Sequence, residues 1–171
     1  MSIKKMILPR LDFQIAVESS LWSGDFCLRN LCEEIFAKSI SILIFEGYLI
    51  EGNTVEVSIV FTDSKRIKDL NFQYLGVNKP TNVLSFPVVS TLSDGYSRLM
   101  LGDIVLAYEI IELEASVLGK KLKDHLVHLI IHGFLHLLGY DHVDDEDAFL
   151  MEGLERSILE SLGIDDPYEM D

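Results

Sequence analysis

The feature that most constrains this chain is a run of histidines on one nearly apolar segment. All five histidines lie between residues 125 and 142, and four of them are separated by three, four and four residues. These four are His125, His128, His132 and His136. In an α-helix that spacing places them along one stripe, whereas most other positions are Leu, Ile, Val or Phe. The segment therefore predicts a largely buried helix with imidazoles along one side.

Buried imidazoles need polar partners for both ring nitrogens. A single histidine of this kind is usually satisfied by hydrogen bonds within a core. Four in succession on an apolar helix are harder to satisfy in that way, so a buried polar cluster without metal is the weaker alternative. A metal ion would satisfy them directly, because neutral imidazole is a strong ligand for zinc and related ions.

Helix geometry limits which histidines can share an ion. His132 and His136 lie about 6 Å apart along the axis, whereas His128 and His136 lie about 12 Å apart, too far for Zn–N bonds of about 2 Å. A third ligand must come from elsewhere, or a different pair must be chosen. Gly139 can end the helix in the left-handed conformation, which would return His142 toward the first pair. Three protein ligands would leave a fourth position for water, the catalytic arrangement.

The same residues match the ligand spacing of the metzincin proteases, H-E-x-x-H-x-x-G-x-x-H. His132 and His136 match its first two histidines, Gly139 matches its glycine and His142 matches its third histidine. In those proteases a glutamate after the first histidine is the general base, but here that position is Gly133. A metallohydrolase of peptides or small esters is therefore the weaker enzymatic alternative.

Periodicity along the rest of the chain predicts an α+β fold, a small mixed β-sheet packed with helices. Residues 54–62 alternate apolar and polar side chains, as a half-buried strand does. Extended segments are also predicted at 81–89 and 99–107, and helices at 28–44, 64–76, 108–118, 124–138 and 146–162. We expect Asp63 and Asp124 to cap two of these helices. Strands and helices do not alternate strictly, and the length favours one domain over residues 1–171, with an acidic helix and tail from about 144.

The charge of the chain is strongly acidic but unevenly distributed. The formal net charge is −14, of which −11 lies in residues 141–171 and −3 in residues 1–140. Carboxylates repel phosphates, so an RNA-binding surface would have to be built from residues 1–140. The basic residues available there include Lys65, Arg66, Lys68, Lys79 and Arg98.

The sequence also carries expectations about location. The chain has no run of about 18 apolar residues, so no membrane contact is expected. The first ten residues lack the long apolar stretch of a secretory signal. Cys27 and Cys32 do not form a disulfide framework, which favours a reducing cytoplasmic setting.

Three segments resemble the YbeY family of bacterial ribosomal-RNA-maturation endoribonucleases. They are HGFLHLLGYDH (132–142), KPTNVLSFP (79–87) and LGDIV (101–105), and the resemblance extends from about residue 55 to 168. It implies a zinc-dependent endoribonuclease, specific for single strands, that acts in 16S rRNA 3′-end maturation and ribosome quality control. It implies one zinc ion per chain, held by His132, His136 and His142. Ribosomal RNA and the small ribosomal subunit are the implied partners, with basic ribosomal proteins as a further candidate.

The sequence differs from the pattern of the family at one position. Family members carry an arginine where this chain has Leu75, and an arginine there would stabilise charge developing on a phosphate. Lys79, Arg98 and Arg66 are candidate replacements, and a solvated surface charge is the alternative for each. The departure keeps open a third class, a non-catalytic ribosome-assembly factor whose zinc site is mainly structural.

Several polar residues in the matching segments are candidates for a supporting role. Asn82, Ser85 and Asp103 could hydrogen-bond a ligand or orient a histidine, and a turn or strand-edge role is the alternative. His125 and His128 could face a substrate groove, although helix packing is the favoured interpretation for His125. The general base and catalytic residues are not predicted.

Overall fold

A computed structural model describes residues 11–24, 26–47, 54–88 and 98–169. The strands are β1 (Leu11–Val17), β2 (Thr54–Thr62), β3 (Val83–Pro87) and β4 (Arg98–Ala107). The α-helices are α1 (Leu28–Phe45), α2 (Ser64–Leu75), α3 (Tyr108–Leu118), α4 (Leu122–Leu137) and α5 (Asp145–Ser161). A short 3-10 helix, Ser20–Trp22, follows β1. The predicted α+β class is confirmed.

Within the described residues the strands form one mixed sheet in the order β1-β2-β4-β3. β1 and β4 pair in parallel with β2, whereas β3 pairs antiparallel with β4 and lies at the edge. The apolar run of β4 fits its internal position, because a strand covered on both faces has no solvent side.

Helices cover both faces of the sheet. The alternating apolar residues of β2, from Val55 to Phe61, join the main core with α1, α4 and α5. A smaller cluster on the opposite face packs Ile67 of α2 against Leu84 and Val105. This arrangement places α4 between the sheet and the surface helices, which is why its apolar residues are buried on most sides.

Local signals set most helix ends where they were predicted. Asp63 caps α2 by accepting a hydrogen bond from the Arg66 backbone N–H at 2.9 Å. Gly76, which follows α2, has a φ of +71°, and the left-handed conformation there is open to glycine without strain.

Two local predictions differ from the structure. The predicted cap Asp124 lies inside the first turn of α4, whose N-cap is Lys121 with no side-chain hydrogen bond. A carboxylate in the first turn still interacts favourably with the helix dipole, so Asp124 stabilises the same end by charge.

Strand β1 was not predicted, although Leu11, Phe13 and Ile15 alternate with polar residues. Part of the predicted segment 81–89, namely Val89, lies outside the described residues.

The edge strand β3 lies directly against α4. The Ser85 hydroxyl donates a hydrogen bond to the Gly133 carbonyl at 3.1 Å, which ties the strand to the middle of the helix. Across the sheet, Gly102 pairs with Pro87, and a Cβ on Gly102 would lie 2.1 Å from the Phe86 carbonyl oxygen. Glycine is therefore required at that point of β4, and the close pairing fixes β3 beside the histidine helix.

Candidate metal centre

The three histidines of the predicted ligand set come together in the structure. His132 and His136 lie one turn apart on α4, and their Nε2 atoms are 3.0 Å apart. Gly139, with a φ of +95°, turns the chain after the helix so that His142 returns to the pair. One ring nitrogen from each residue lies within 4.8 Å of the others. We call these residues the three-histidine cluster.

Hydrogen bonds orient two of the three rings. Nδ1 of His132 lies 2.6 Å from the Glu155 carboxylate, and Nδ1 of His136 lies 2.9 Å from the Tyr140 carbonyl oxygen. Both partners can only accept, so each Nδ1 carries a proton, and in the neutral ring the lone pair is then on Nε2. The two Nε2 atoms face each other at 3.0 Å.

That arrangement fits a divalent metal ion. A cation between the two Nε2 atoms would use both lone pairs, and His142 adds a third imidazole from the turn. Burial and the neighbouring His132 lower the pKa of His136, which keeps it in the neutral form that binds metals. His132, His136 and His142 are placed where they would hold such an ion, and their role as its ligands stays a prediction.

Glu155 is the residue that sequence reasoning missed. Its side chain is fully buried on α5, and its second oxygen lies 3.0 Å from Nε2 of His128. Tyr168 donates a further hydrogen bond to that oxygen. Burial by itself would raise the pKa of Glu155, but the hydrogen bonds from His128 and His132 outweigh it and bring the pKa to about 2. The carboxylate is ionised at neutral pH.

Glu155 had a detectable sequence signal. Met151, Leu154 and Ile158 form the buried face of α5, and Glu155 follows Met151 by four residues on that face. A charge in the middle of an apolar helix face requires a buried partner. Its ligand atoms, with those of His128 and His132, form a second group close enough to hold an ion, but hydrogen bonds between them already occupy these atoms.

The three-histidine cluster opens into a cavity of about 520 Å³. Asn82 and Ser85 line it, in agreement with their candidate role near a ligand, whereas Asp103 does not. The described lining residues include no Lys or Arg, and Asp141 is the charged carboxylate among them. The residues lining the cavity are Leu75, Asn82, Val83, Leu84, Ser85, Pro87, His132, His136, Gly139, Tyr140, Asp141 and His142.

The polar candidates of β3 have structural partners. The Asn82 side chain donates to both oxygens of Glu114 at 3.1 Å and accepts from the Val83 backbone N–H at 2.6 Å. The Ser85 hydroxyl donates its hydrogen bond to the Gly133 carbonyl oxygen. Among the described residues, Glu155 hydrogen-bonds the ring of His132 and the Tyr140 carbonyl hydrogen-bonds the ring of His136. Asn82 and Ser85 do not have this orienting role.

His125 and His128 do not line the cavity of the three-histidine cluster. His125 is buried, and its Nε2 lies 2.7 Å from the Glu114 carboxylate, which agrees with the packing role that the sequence favoured. His128 faces Glu155 and Tyr168. The stripe therefore divides into a structural first half and a second half that forms the candidate centre.

Gly133 is a packing requirement. A Cβ at this position would lie 3.0 Å from Cγ2 of Ile104 and 3.1 Å from Oγ of Ser85. Any side chain here must displace these neighbours by a few tenths of an ångström, so a glutamate in the metzincin position would strain the contact between α4 and the sheet.

The candidate phosphate-binding cations lie apart from the cavity or outside the described part. Arg66 pairs with Glu18 at 4.0 Å and lines a different pocket, and Lys79 is exposed on the loop before β3. The side chain of Arg98 lies outside the described residues. Leu75 itself lines the cavity and is 60% exposed, so the position has space for a longer side chain.

These features define an α+β protein with a candidate metal centre built from three histidines on one helix and the turn that follows it. The model of the family described as "Endoribonuclease YbeY" matches residues 28–163. This chain belongs to that family.

Curated relatives agree over nearly the whole length. The chain is 45% identical over 163 residues to an endoribonuclease YbeY of Rhizobium johnstonii, which covers 95% of each chain. It is 46% identical, with the same coverage, to that of Rhizobium etli. It is 44% identical over 159 residues, 92% of each chain, to that of Sinorhizobium fredii.

A solved structure is also similar. The solution structure of a protein from Thermotoga maritima matches with a TM-score of 0.54 and 25% identity, covering 93% of this chain and all of that one. Separately, none of the helices formed by the described residues is long and apolar enough to cross a membrane.

Proposed function

We propose that this chain is a zinc-dependent endoribonuclease that cleaves single-stranded RNA. The observation that carries the proposal is the pair of Nε2 atoms of His132 and His136, which face each other at 3.0 Å with the His142 ring beside them. The named activity of the relatives at about 45% identity supports the choice of RNA as the substrate.

Zinc at this site would supply Lewis acidity, polarising a phosphoryl oxygen and lowering the pKa of a coordinated water to about 7. The chain's own contribution is to hold the ion and to orient the imidazole rings that bind it. Glu155 and the Tyr140 carbonyl fix two of the imidazoles, so their geometry is set before an ion arrives. Leu75 and Pro87 line the same cavity as the three-histidine cluster.

We extend the proposal to the role in the cell. The substrate would be 16S rRNA, at the 3′-end maturation step and in quality control of the small ribosomal subunit, in the cytoplasm. The acidic residues after Asp141, which itself lines the cavity, would face away from RNA and meet a basic ribosomal protein. The family relationship supports these points.

The test combines metal content with cleavage. Purified full-length protein should hold about one zinc per chain, and a chelator should abolish cleavage of single-stranded ribosomal RNA. His136→Ala should lose both zinc and cleavage, whereas the matched variant His125→Gln, on the same helix, should keep both. Protein that neither holds nor takes up zinc, or unchanged cleavage by His136→Ala, would overturn the proposal.

One observation favours a second candidate, a non-catalytic assembly factor with a structural zinc. The described residues lining the cavity include no basic side chain to neutralise a phosphate. In that case His136→Ala would lose zinc and thermal stability, and the wild type would bind the small subunit without cleaving its RNA.

A further inference from the structure

Glu155 connects the candidate centre to two other parts of the chain. One of its oxygens lies 2.6 Å from Nδ1 of His132, and the other lies 3.0 Å from Nε2 of His128. Tyr168, in the segment after α5, donates its hydroxyl proton to the same second oxygen. A fully buried carboxylate with three partners has no freedom to turn away from His132.

The tautomer of His132 depends on this contact. While Glu155 accepts from Nδ1, the proton is held there and the Nε2 lone pair points toward His136 and His142. If the carboxylate were absent, the imidazole could carry its proton on Nε2 instead. That proton would then occupy the position where an ion must bind.

The segment after α5 keeps the carboxylate in place. Arg156 forms an ion pair with Asp166 at 3.0 Å, and its guanidinium lies 5.2 Å from the centre of the Tyr168 ring. The Tyr168 backbone N–H also donates to Asp166 at 2.8 Å. These contacts fix Tyr168 over Glu155 from a segment that is distant in sequence from the histidine motif.

We propose that Glu155 is a positioning residue that holds the proton of His132 on Nδ1, so that Nε2 faces the three-histidine cluster as a ligand, and that Tyr168 fixes Glu155 in turn. The inference rests on the metal-binding role proposed above. Carboxylates that support a metal-binding histidine typically change metal affinity by about 10- to 100-fold when they are removed.

The first test measures metal affinity in the full chain. Glu155→Gln removes the charge with little change in shape, and its amide N–H can donate to Nδ1 of His132, which permits the wrong tautomer. Zinc affinity, measured by competition with a chromophoric chelator, should fall about 10- to 100-fold. Tyr168→Phe keeps the carboxylate but loses one donor, and its zinc affinity should fall by a smaller factor.

The chain offers a matched control for this test. Glu114 also hydrogen-bonds a histidine of α4, with 2.7 Å between its carboxylate and Nε2 of His125, but it does not contact the three-histidine cluster. Glu114→Gln should leave zinc affinity within about twofold of the wild type. An equal loss in both variants would show a general effect of removing a carboxylate that hydrogen-bonds a histidine of α4 and would overturn the positioning role.

A second readout needs no metal and no substitution at Glu155. Long-range proton–nitrogen NMR correlations of the apo wild-type protein distinguish the two imidazole tautomers, with His132 assigned by the loss of its signals in His132→Asn. We expect the Nδ1–H tautomer for His132. The Nε2–H tautomer in the wild type would overturn the inference, whatever the variant does.

The outcomes separate this inference from the proposed function. Wild-type affinity in a folded Glu155→Gln protein defeats the positioning role but leaves the zinc nuclease standing. A loss of affinity in Glu155→Gln, together with a wild type that binds zinc but cleaves no RNA, supports the positioning role and defeats the nuclease. A wild type that binds no zinc defeats both.

Discussion

Gly133 shows how one residue decides which chemistry this histidine motif can support. Its absent side chain lets α4 approach β3 and β4 so closely that a Cβ would lie 3.0 Å from Ile104. The same closeness allows Ser85 to hydrogen-bond the Gly133 carbonyl. The position that carries the general base in metzincins is therefore part of the packing between helix and sheet.

Glutamine tests that packing because it has the shape of the metzincin glutamate without its charge. We expect Gly133→Gln to lower the free energy of unfolding, since overpacking a well-filled core costs about 1–3 kcal/mol and the gain in helix propensity offsets at most about 1 kcal/mol of that cost. Gly153 is a matched control within α5, where a Cβ meets nothing within 4 Å. Gly153→Gln should be neutral or stabilising by up to about 1 kcal/mol in urea denaturation. Similar stabilities for the two variants would contradict the packing argument.

Leu75 offers a test of charge at the cavity. It lines the cavity and is exposed, and the described lining residues include no basic side chain. We expect Leu75→Arg to bind and cleave single-stranded RNA about tenfold better at low salt, because a charge-assisted hydrogen bond contributes about 1.5–3 kcal/mol. Leu75→Gln, a polar but neutral variant, is the control. An unchanged rate in Leu75→Arg would mean that another basic residue already contacts the phosphate.

The two cysteines should differ sharply in reactivity. Burial raises the pKa of Cys32 to about 12, whereas Cys27 is exposed at the start of α1. The thiolate is the reactive form, so at pH 8 a thiol reagent should label one cysteine in the folded protein and two after unfolding. In Cys27→Ser the folded protein should remain unlabelled, and rapid labelling of that variant would show that Cys32 is accessible.

At the scale of elements, α5 does more than cover the core. Its N-cap Asp144 accepts from the Asp147 backbone N–H at 2.8 Å, only two residues after His142. Its buried face carries Glu155 to His132. The helix therefore restrains the three-histidine cluster from both sides, through the turn and through the core.

A matched pair of caps tests this restraint. Asp144→Ala and Asp63→Ala each remove an N-cap side chain, and each should cost about 1 kcal/mol of stability in thermal unfolding. Only Asp144→Ala loosens the segment that holds His142, so we expect it alone to weaken zinc binding, by about threefold. Equal zinc affinity in the two variants would show that the start of α5 does not restrain His142.

Elements with strong local signals were predictable from the sequence, and contacts between distant segments were not. The alternation in β2 and the Asp63 and Gly76 signals of α2 gave bounds within a residue of the structure. The histidine cluster was predictable because its members lie within one helix and the turn after it. The contact of Tyr168 with Glu155 depends on how the chain folds back after α5, and no local pattern encodes that path.

At the scale of the whole molecule, the acidic excess and the histidine motif overlap in sequence. The net charge of −11 begins at Asp141, within the motif, and Asp141 lines the cavity. Part of the excess has a structural role, because Asp145, Glu146 and Asp147 occupy the first turn of α5 and interact favourably with its dipole. The remainder disfavours RNA on that side of the molecule.

Salt dependence measures how many phosphates the protein contacts. With no Lys or Arg among the described residues of the cavity, we expect at most about two phosphate contacts with single-stranded RNA. Affinity should then fall by no more than about sevenfold between 50 and 200 mM salt, given a slope of about −0.7 per contact. Filter binding at several salt concentrations, with catalysis blocked by removing the metal, gives this slope. A slope steeper than about −3 would require a basic surface elsewhere.

The edge position of β3 has a consequence for how the protein behaves at high concentration. An edge strand presents unpaired backbone groups, which can recruit a second chain and start aggregation. Here the edge strand has only five residues and ends in Pro87, which has no N–H to donate, and Pro80 precedes it. Among the described strands, β3 is thus an edge strand that is a poor template for pairing between copies of the chain.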